Sequence, residues 1–296
     1  MRKTVLVING PTAIGKTQLS LDLALSLQTE IISTDSRQFY REMSIGTAKP
    51  SAEELALVPH HFINNRSVND YYSAGDFERE ALVKIDELFA QGKETVIAIG
   101  GSGLYIKALC EGLNEMPAAN LALRNELIEN FETHGITWLQ GQMKALDAEK
   151  YATLDIQNPQ RLMRAIELHK QGGITNQVKK LRPFTIVKIG LEMPREKLYE
   201  RINKRVDIMM EQGLYEEAKS LFPLRQLNAL QTVGYNELFA HFAGEHSLER
   251  AVELIKQHTR NYAKRQLTWF KADTEIKWFN AENQGDIRAW VHSLGA

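Results

Sequence analysis

The chain has 296 residues and a formal net charge of -1, with 43% hydrophobic residues. That length can bury a large α/β core, alone or with a smaller insert, and the balanced charge excludes a global field drawing the protein to nucleic acid or an anionic membrane. Cys110 is the one cysteine, which excludes an internal disulfide or a cysteine zinc site and suits a reducing cytoplasm.

Arg2 and Lys3 precede apolar residues as in a signal peptide, but Gly10, Pro11 and Lys16 end that run too early. No segment is long and apolar enough to cross a bilayer as a helix. Val5 to Ile8 is instead a nearly continuous apolar, mostly β-branched run, the pattern of a parallel strand buried on both faces. It breaks into Gly10, Pro11, Thr12, Ala13, Ile14, Gly15, Lys16 and Thr17, after which Leu19, Leu23 and Leu27 recur at helical spacing. Strand, glycine loop and helix in succession predict a phosphate-binding loop. Its glycines let successive N–H groups converge on phosphate oxygens at the positive end of the helix dipole. Lys16 adds a positive charge, and the Thr17 hydroxyl can ligate magnesium. Any diphosphate or triphosphate fits such a cradle.

Glu30 to Thr34 predicts a second strand whose carboxyl end delivers Asp35, Ser36, Arg37 and Gln38 beside that loop, where open parallel sheets place their ligand crevice. Asp35 can act there as a base, hold magnesium through water, or cap a turn. Beside Lys16 and magnesium it is expected to be held ionised and to be a weak base. Lys49 either reaches the crevice or is solvated. Ser51 and Glu54 form a capping box. His60 and His61, adjacent in a strand, point to opposite faces and read as structural residues, not a metal pair. Asp76 is expected to cap a helix with Phe77, Ala81, Ile85 and Leu88 inward, ended by Gly92. Thr95 to Ile99 is another buried strand, breaking into Gly100-Gly101-Ser102-Gly103, which offers the Ser102 hydroxyl to a ligand or merely packs tightly.

From about Glu111 to Arg182 strand-like runs give way to amphipathic patterns at Leu123 to Phe131, Trp138 to Leu146 and Pro159 to Gln171, predicting a helical insert over 111–182 between core segments 1–110 and 183–296. Arg161 and Arg164 share a helix face, and Lys170, Lys179, Lys180 and Arg182 follow with only Glu167 opposing them. Gly172-Gly173 would end the helix. Phe184 to Glu192 resumes the sheet. Pro194 opens a helix with Leu198, Ile202, Val206 and Met209 inward, Met209 and Met210 being core filler. Arg201 and Arg205 lie one turn apart on it. A turn at Gln231 to Tyr235 leads to a final helix from Ser247 to Lys271, with Val252, Ile255, Tyr262 and Trp269 buried and Lys256, Arg260 and Lys264 as an exposed stripe beside Arg265 and Lys271. Glu275 to Asn280 reads as a closing strand.

GPTAIGKT at 10–17, DSRQFY at 35–40, GTAKP at 46–50, PHH at 59–61, NPQRLMRAIE at 158–167, GGSGLY at 100–105, VGY at 233–235 and AKRQLTWF at 263–270 together resemble the bacterial tRNA dimethylallyltransferases over nearly the whole chain. Ile14, Phe39, Ser102 and Pro159 depart from the family's usual residues, Pro159 within a stretch expected to touch RNA. The resemblance implies a P-loop α/β fold with parallel sheet and helical insert, and movement of a dimethylallyl group from its diphosphate to N6 of the adenosine 3′ of the anticodon. Asp35, Ser102, Lys16 and Arg205 would be catalytic, residues 10–17 would hold the diphosphate, and Thr17 would hold Mg2+. RNA contacts are implied at Asp35, Ser36, Arg37, Gln38 and Ser102, at Pro159, Gln160, Arg161, Leu162, Met163 and Arg164, at Thr232, Val233, Gly234 and Tyr235, and at Lys264, Arg265 and Gln266. The implied partners are a tRNA anticodon stem-loop and dimethylallyl diphosphate, with no membrane, for a monomeric cytoplasmic protein. A P-loop kinase of small molecules or nucleotides is the alternative from the residues alone, and an RNA-binding protein with a regulatory nucleotide is a second.

Overall fold

The computed structural model describes residues 3–114, 117, 120–172 and 180–294; Gly173 and Lys179 lie outside them. The chain divides into two compact units, Met1–Gly112 with Leu181–Ala296, and Leu113–Lys180.

In the first unit β1 (Thr4–Asn9) runs into the glycine loop and α1 (Lys16–Ser26), followed by β2 (Ile31–Ser33), α2 (Ala52–Leu57), β3 (His60–His61), α3 (Ala74–Ala90), β4 (Thr95–Ile99) and α4 (Gly103–Glu111). The second unit is helical: α5 (Leu121–His134), α6 (Ile136–Leu146), α7 (Ala148–Thr153) and α8 (Pro159–Lys170). The first unit then resumes with β5 (Thr185–Glu192), α9 (Arg195–Glu211), α10 (Leu214–Leu221), two 3-10 turns, α11 (Tyr235–Phe242), α12 (Leu248–Lys271), β6 (Lys277–Asn280) and α13 (Gln284–Ser293).

All strand pairs are parallel, in the order β3-β2-β4-β1-β5-β6. β1 is central, paired on both sides, and Val5 to Asn9 are fully buried, which is why its sequence shows no polar alternation. On one face Leu19 and Leu23 of α1, Leu198 and Ile202 of α9, Ala263 of α12 and Ile287 of α13 join Leu6 and Ile8 in a single core. Burying a side chain of this size contributes roughly 1.5–3 kcal/mol.

Several expectations are corrected. The N-cap of α3 is Ser73, whose side chain accepts the Asp76 N–H; Asp76 reaches back from the third helical position, so the helix begins earlier than an Asp76 cap requires. The short helices α7, α10 and α11 were not foreseen, and α12 is not the last helix, because α13 follows the closing strand. Trp269 is 50% exposed. The buried line of α12 keeps the expected Ile255 and runs on through Ala263, Gln266 and Phe270. The expected exposed stripe is also broken: Lys256 pairs with Asp207, Arg260 donates to Asn203 and Lys271 pairs with Glu192.

The helical unit has its own core of Leu127, Leu139, Met143, Leu162, Met163 and Ile166. Glu167, fully buried, accepts from Arg124 Nε at 2.8 Å and Nη2 at 2.6 Å, and from Arg164 Nη1 at 3.0 Å. A carboxylate so deep is stable only while those guanidiniums hold it.

Candidate active site

The carboxyl ends of β1, β2 and β4 open into a cleft of about 770 Å³, and the loop after β1 forms one wall. Gly10 (φ 151) and Gly15 (φ 106) occupy conformations that side chains disfavour, and Ala13 does so at φ 63. A Cβ on Gly10 would stand 3.1 Å from the Leu191 carbonyl, so the turn also needs the space. Lys16 Nζ donates to the Gly10 and Pro11 carbonyls at 2.9 and 2.8 Å. Burial, with Arg205 nearby, lowers its pKa to about 7. Arg205 reaches the loop as expected, its Nη1 donating to Thr12 Oγ1 at 3.2 Å; burial and then Arg201 lower its own pKa.

Asp35 lines the same cleft. Its Oδ1 accepts the N–H groups of Arg37 at 2.8 Å and Gln38 at 3.3 Å. The expected depression of its pKa is corrected. Burial raises it, outweighing those two amides and the Lys16 charge. A carboxylate taken out of water is a better base than one merely flanked by cations.

Ser102 does not offer a free hydroxyl. Its Oγ accepts the Ser36 N–H at 3.0 Å and donates to Ser36 Oγ at 3.1 Å, tying the loop after β4 to the loop after β2. The glycines around it are packed: a Cβ on Gly100 would stand 2.1 Å from Thr34 Oγ1, and one on Gly103 2.3 Å from Trp269 Nε1. Tyr262 of α12 also lines the cleft, its phenol pushed up to about 12 by burial, with the Asp35 charge adding to the effect.

One residue behind this wall was missed. Glu217 of α10 accepts the backbone N–H groups of Ser44, Ile45 and Gly46 at 2.9, 2.8 and 2.9 Å. The loop it holds presents the Thr47 and Ala48 carbonyls to Gln38 Nε2, both at 3.2 Å, while Gln38 Oε1 accepts from Ser33. Lys49 neither enters the crevice nor floats in solvent; it donates to the Tyr40 carbonyl and Asn64 Oδ1, and burial lowers its pKa to about 8. Met209, expected in the core, is half-buried on the cleft wall. No local pattern pointed to Glu217, because the backbone donors it accepts, at Ser44, Ile45 and Gly46, lie 171 to 173 residues away in the chain.

The residues expected to meet RNA divide. Ser36, Arg37, Gln38, Thr232, Val233 and Gly234 line the cleft. Lys264 and Arg265 are exposed. Tyr235 is fully buried with its hydroxyl on Glu217, and Gln266 is 6% exposed with both amide atoms on backbone partners, so neither side chain is available at the surface. In the helical unit Leu162 and Met163 are core, Arg164 is committed to Glu167, and Gln160 and Arg161 are exposed, Arg161 pairing with Asp155 at 3.3 Å. Pro159 opens α8 behind an Asn158 cap.

Among the described residues no three His, Cys, Asp or Glu side chains converge as a metal site. His60 bonds the Val58 carbonyl and His61 pairs with Glu30. The cleft does offer hard oxygens, the Thr17 hydroxyl and the Asp35 carboxylate. This donor set fits Mg2+, which commonly takes one or two protein oxygens and fills its shell with waters and substrate phosphates.

Residues 38–273 match the family model for IPP transferases. The chain is 50% identical over 299 residues to a tRNA dimethylallyltransferase of Christiangramia forsetii, covering 99% of each. It is 50% identical over 289 residues to that of Flavobacterium johnsoniae, covering 94% of this chain and 93% of the other. Among solved structures it resembles the full-length tRNA isopentenylpyrophosphate transferase of Bacillus halodurans at 36% identity and TM-score 0.73, covering 99% of this chain and 96% of that one.

Proposed function

Because the chain belongs to the family of tRNA dimethylallyltransferases, we propose that its cleft transfers a five-carbon dimethylallyl group from dimethylallyl diphosphate to N6 of the adenosine 3′ of the anticodon in tRNA. The observation that carries this reading is the grading of the cleft wall. On α9 Arg201, Arg205 and Met209 follow one another at one-turn spacing, and Leu214, Val233 and Ile255 add apolar surface nearby. A charged head with a short apolar tail suits such a wall better than a nucleoside triphosphate does. Family membership removes the grounds for the kinase alternative, and Asp35 and Arg205 lining the phosphate-loop cleft argue against a purely regulatory nucleotide site.

In this mechanism the backbone N–H groups of the 10–17 loop other than Pro11, which has none, and Thr12, whose own is held by Gln266, join Lys16 and Arg205 to bind the diphosphate and stabilise the charge that grows on it. The N6–C1 bond forms as the C1–O bond breaks, and the diphosphate leaves with the electron pair. Asp35 takes the N6 proton, its basicity supplied by burial. Thr17 is the residue that would hold Mg2+, whose chemistry would be to neutralise the diphosphate charge. A base in a duplex or stacked loop cannot reach such a cleft, so the adenosine must be splayed out of the anticodon loop. Ser102 contributes by fixing the Ser36 loop rather than by touching the base. Lys264 and Arg265 supply phosphate contacts.

The test is nucleoside analysis of tRNA before and after incubation with the protein and dimethylallyl diphosphate. The expected result is N6-dimethylallyl adenosine formed without ATP; modification that requires ATP turnover would overturn the reading.

A further inference from the structure

Gln266 sits in the run Lys264-Arg265-Gln266, yet it points the other way from its neighbours. It is 6% exposed. Its Oε1 accepts the Thr12 N–H at 2.9 Å, and its Nε2 donates to the Gly101 carbonyl at 2.9 Å. A Cβ on Gly101 would stand 2.2 Å from that Nε2, so the loop after β4 leaves room for this amide and for nothing larger than glycine opposite it. Thr12 is gripped a second time at its hydroxyl by Arg205. The next residue, Ala13, has φ 63, a conformation that persists in a side-chain-bearing residue only where its surroundings hold it.

We infer that Gln266 is a positioning residue of the donor site: from α12 it clamps the Thr12–Ala13 turn of the phosphate loop to the Gly101 loop, and it serves diphosphate binding rather than RNA binding. The inference rests on the phosphate-loop reading above. A glutamine suits the task because one planar amide both accepts from one backbone and donates to another. Losing it leaves a buried N–H and a buried carbonyl without partners, and frees the turn that sets the course of the phosphate loop.

The test uses the full chain with inorganic pyrophosphate as probe, then steady-state kinetics with dimethylallyl diphosphate and tRNA. Gln266→Leu keeps the volume and removes both bonds. Its pyrophosphate affinity is expected to fall by about tenfold to a hundredfold, the cost of an unpaired buried group. KM for the donor rises in step, with tRNA affinity unchanged. Gln266→Glu keeps the acceptor for Thr12 but donates to Gly101 only when protonated. Its defect relative to wild type therefore shrinks as pH falls, a trend that a side chain acting by packing alone would not show. If the leucine variant does not fold, the glutamate variant carries the test. Unchanged pyrophosphate binding in a folded variant, or lost tRNA affinity with pyrophosphate binding intact, overturns the inference. Failure of the wild-type protein to bind pyrophosphate would instead overturn the phosphate-loop reading beneath it.

Discussion

The Tyr235 hydroxyl donates to Glu217 Oε1 at 2.6 Å, and the same carboxylate takes the N–H groups of Ser44, Ile45 and Gly46. The loop so held meets Gln38, whose own N–H goes to Asp35 Oδ1, so Glu217 of α10 is linked to the base by three steps of hydrogen bonding. Tyr235→Phe keeps the ring under Gly46, where a Cβ would lie 2.6 Å from it, and loses one bond. The expected cost is about 1 kcal/mol, or about 2–4 °C in melting temperature. Glu217→Ala strands three amides at once and is expected to melt lower still and to slow single-turnover transfer, because the loop behind Gln38 is released. A Glu217→Ala enzyme no slower than Tyr235→Phe would break the proposed link to Asp35.

The parts of this site that were legible in the sequence are those where one interaction dominates a run of residues. β1 is buried on both faces, so its composition is uniformly apolar, and the break at Gly10 is sharp. The Ser51 box with Glu54 forms as its spacing requires. The illegible parts combine small or polar residues in buried positions. On α12 the true inward line contains Ala263, Gln266 and Phe270, so Tyr262 and Trp269, each large and one position before a member of that line, attracted the assignment. The family resemblance grouped Gln266 with Lys264 and Arg265, and adjacency in sequence hides the rotation of about 100° per residue that turns it inward. Ser73 and Asp76 are both good caps, and a reciprocal box gives no sign in one sequence of which one leads. The role of Ser102 depends on Ser36, 66 residues away, which no local pattern reports.

Asp35→Asn tests the base. The amide keeps the Oδ1 acceptor for Arg37 and Gln38, so both substrates are expected to bind while transfer slows by about a hundredfold to ten-thousandfold. Burial raises the Asp35 pKa above its ordinary 3.8, so the folded protein binds the proton more tightly than the unfolded chain. The stability that protonation confers is present below the unfolded value and lost as pH rises through the raised one. Above the raised value the ionised side chain is therefore a cost, and there Asp35→Asn should melt at or above the wild-type temperature. A variant within a few-fold of wild-type rate would remove Asp35 as base, and a lower melting temperature would show that its charge is compensated.

Lys16 carries the complementary prediction. Its pKa of about 7 lies below the ordinary 10.5, so the unfolded chain binds more protons between these values and the penalty for burying the charge fades as pH rises through that window. Bound diphosphate favours the ammonium, so binding near and above pH 7 should take up a proton and weaken with rising pH. Calorimetry in buffers of different ionisation enthalpy measures this uptake directly. Lys16→Met should bind weakly and lose the Lys16 share of the proton uptake; an unchanged uptake in the mutant would assign the proton to the ligand or to another group.

The basic face of α12 supplies the last prediction. Of the cations along it, Lys256 is paired with Asp207, Arg260 is bonded to Asn203 and Lys271 is paired with Glu192, whereas Lys264 and Arg265 are exposed, the Arg265 guanidinium lying 5.8 Å from the centre of the Tyr262 ring. A cation already matched by a carboxylate has less to gain from an RNA phosphate, because it must exchange one anion for another. Lys264→Ala with Arg265→Ala should therefore weaken tRNA binding and leave pyrophosphate binding untouched, while Lys256→Ala should do neither. Each lost phosphate contact flattens the dependence of log affinity on log salt by roughly 0.7 to 0.9. Titrations of tRNA across a salt series would thus separate the two sets of residues by slope as well as by affinity. An unchanged slope in the double variant would return Lys264 and Arg265 to ordinary solvated surface, and a slope change in Lys256→Ala would mean that its pairing with Asp207 opens when RNA binds.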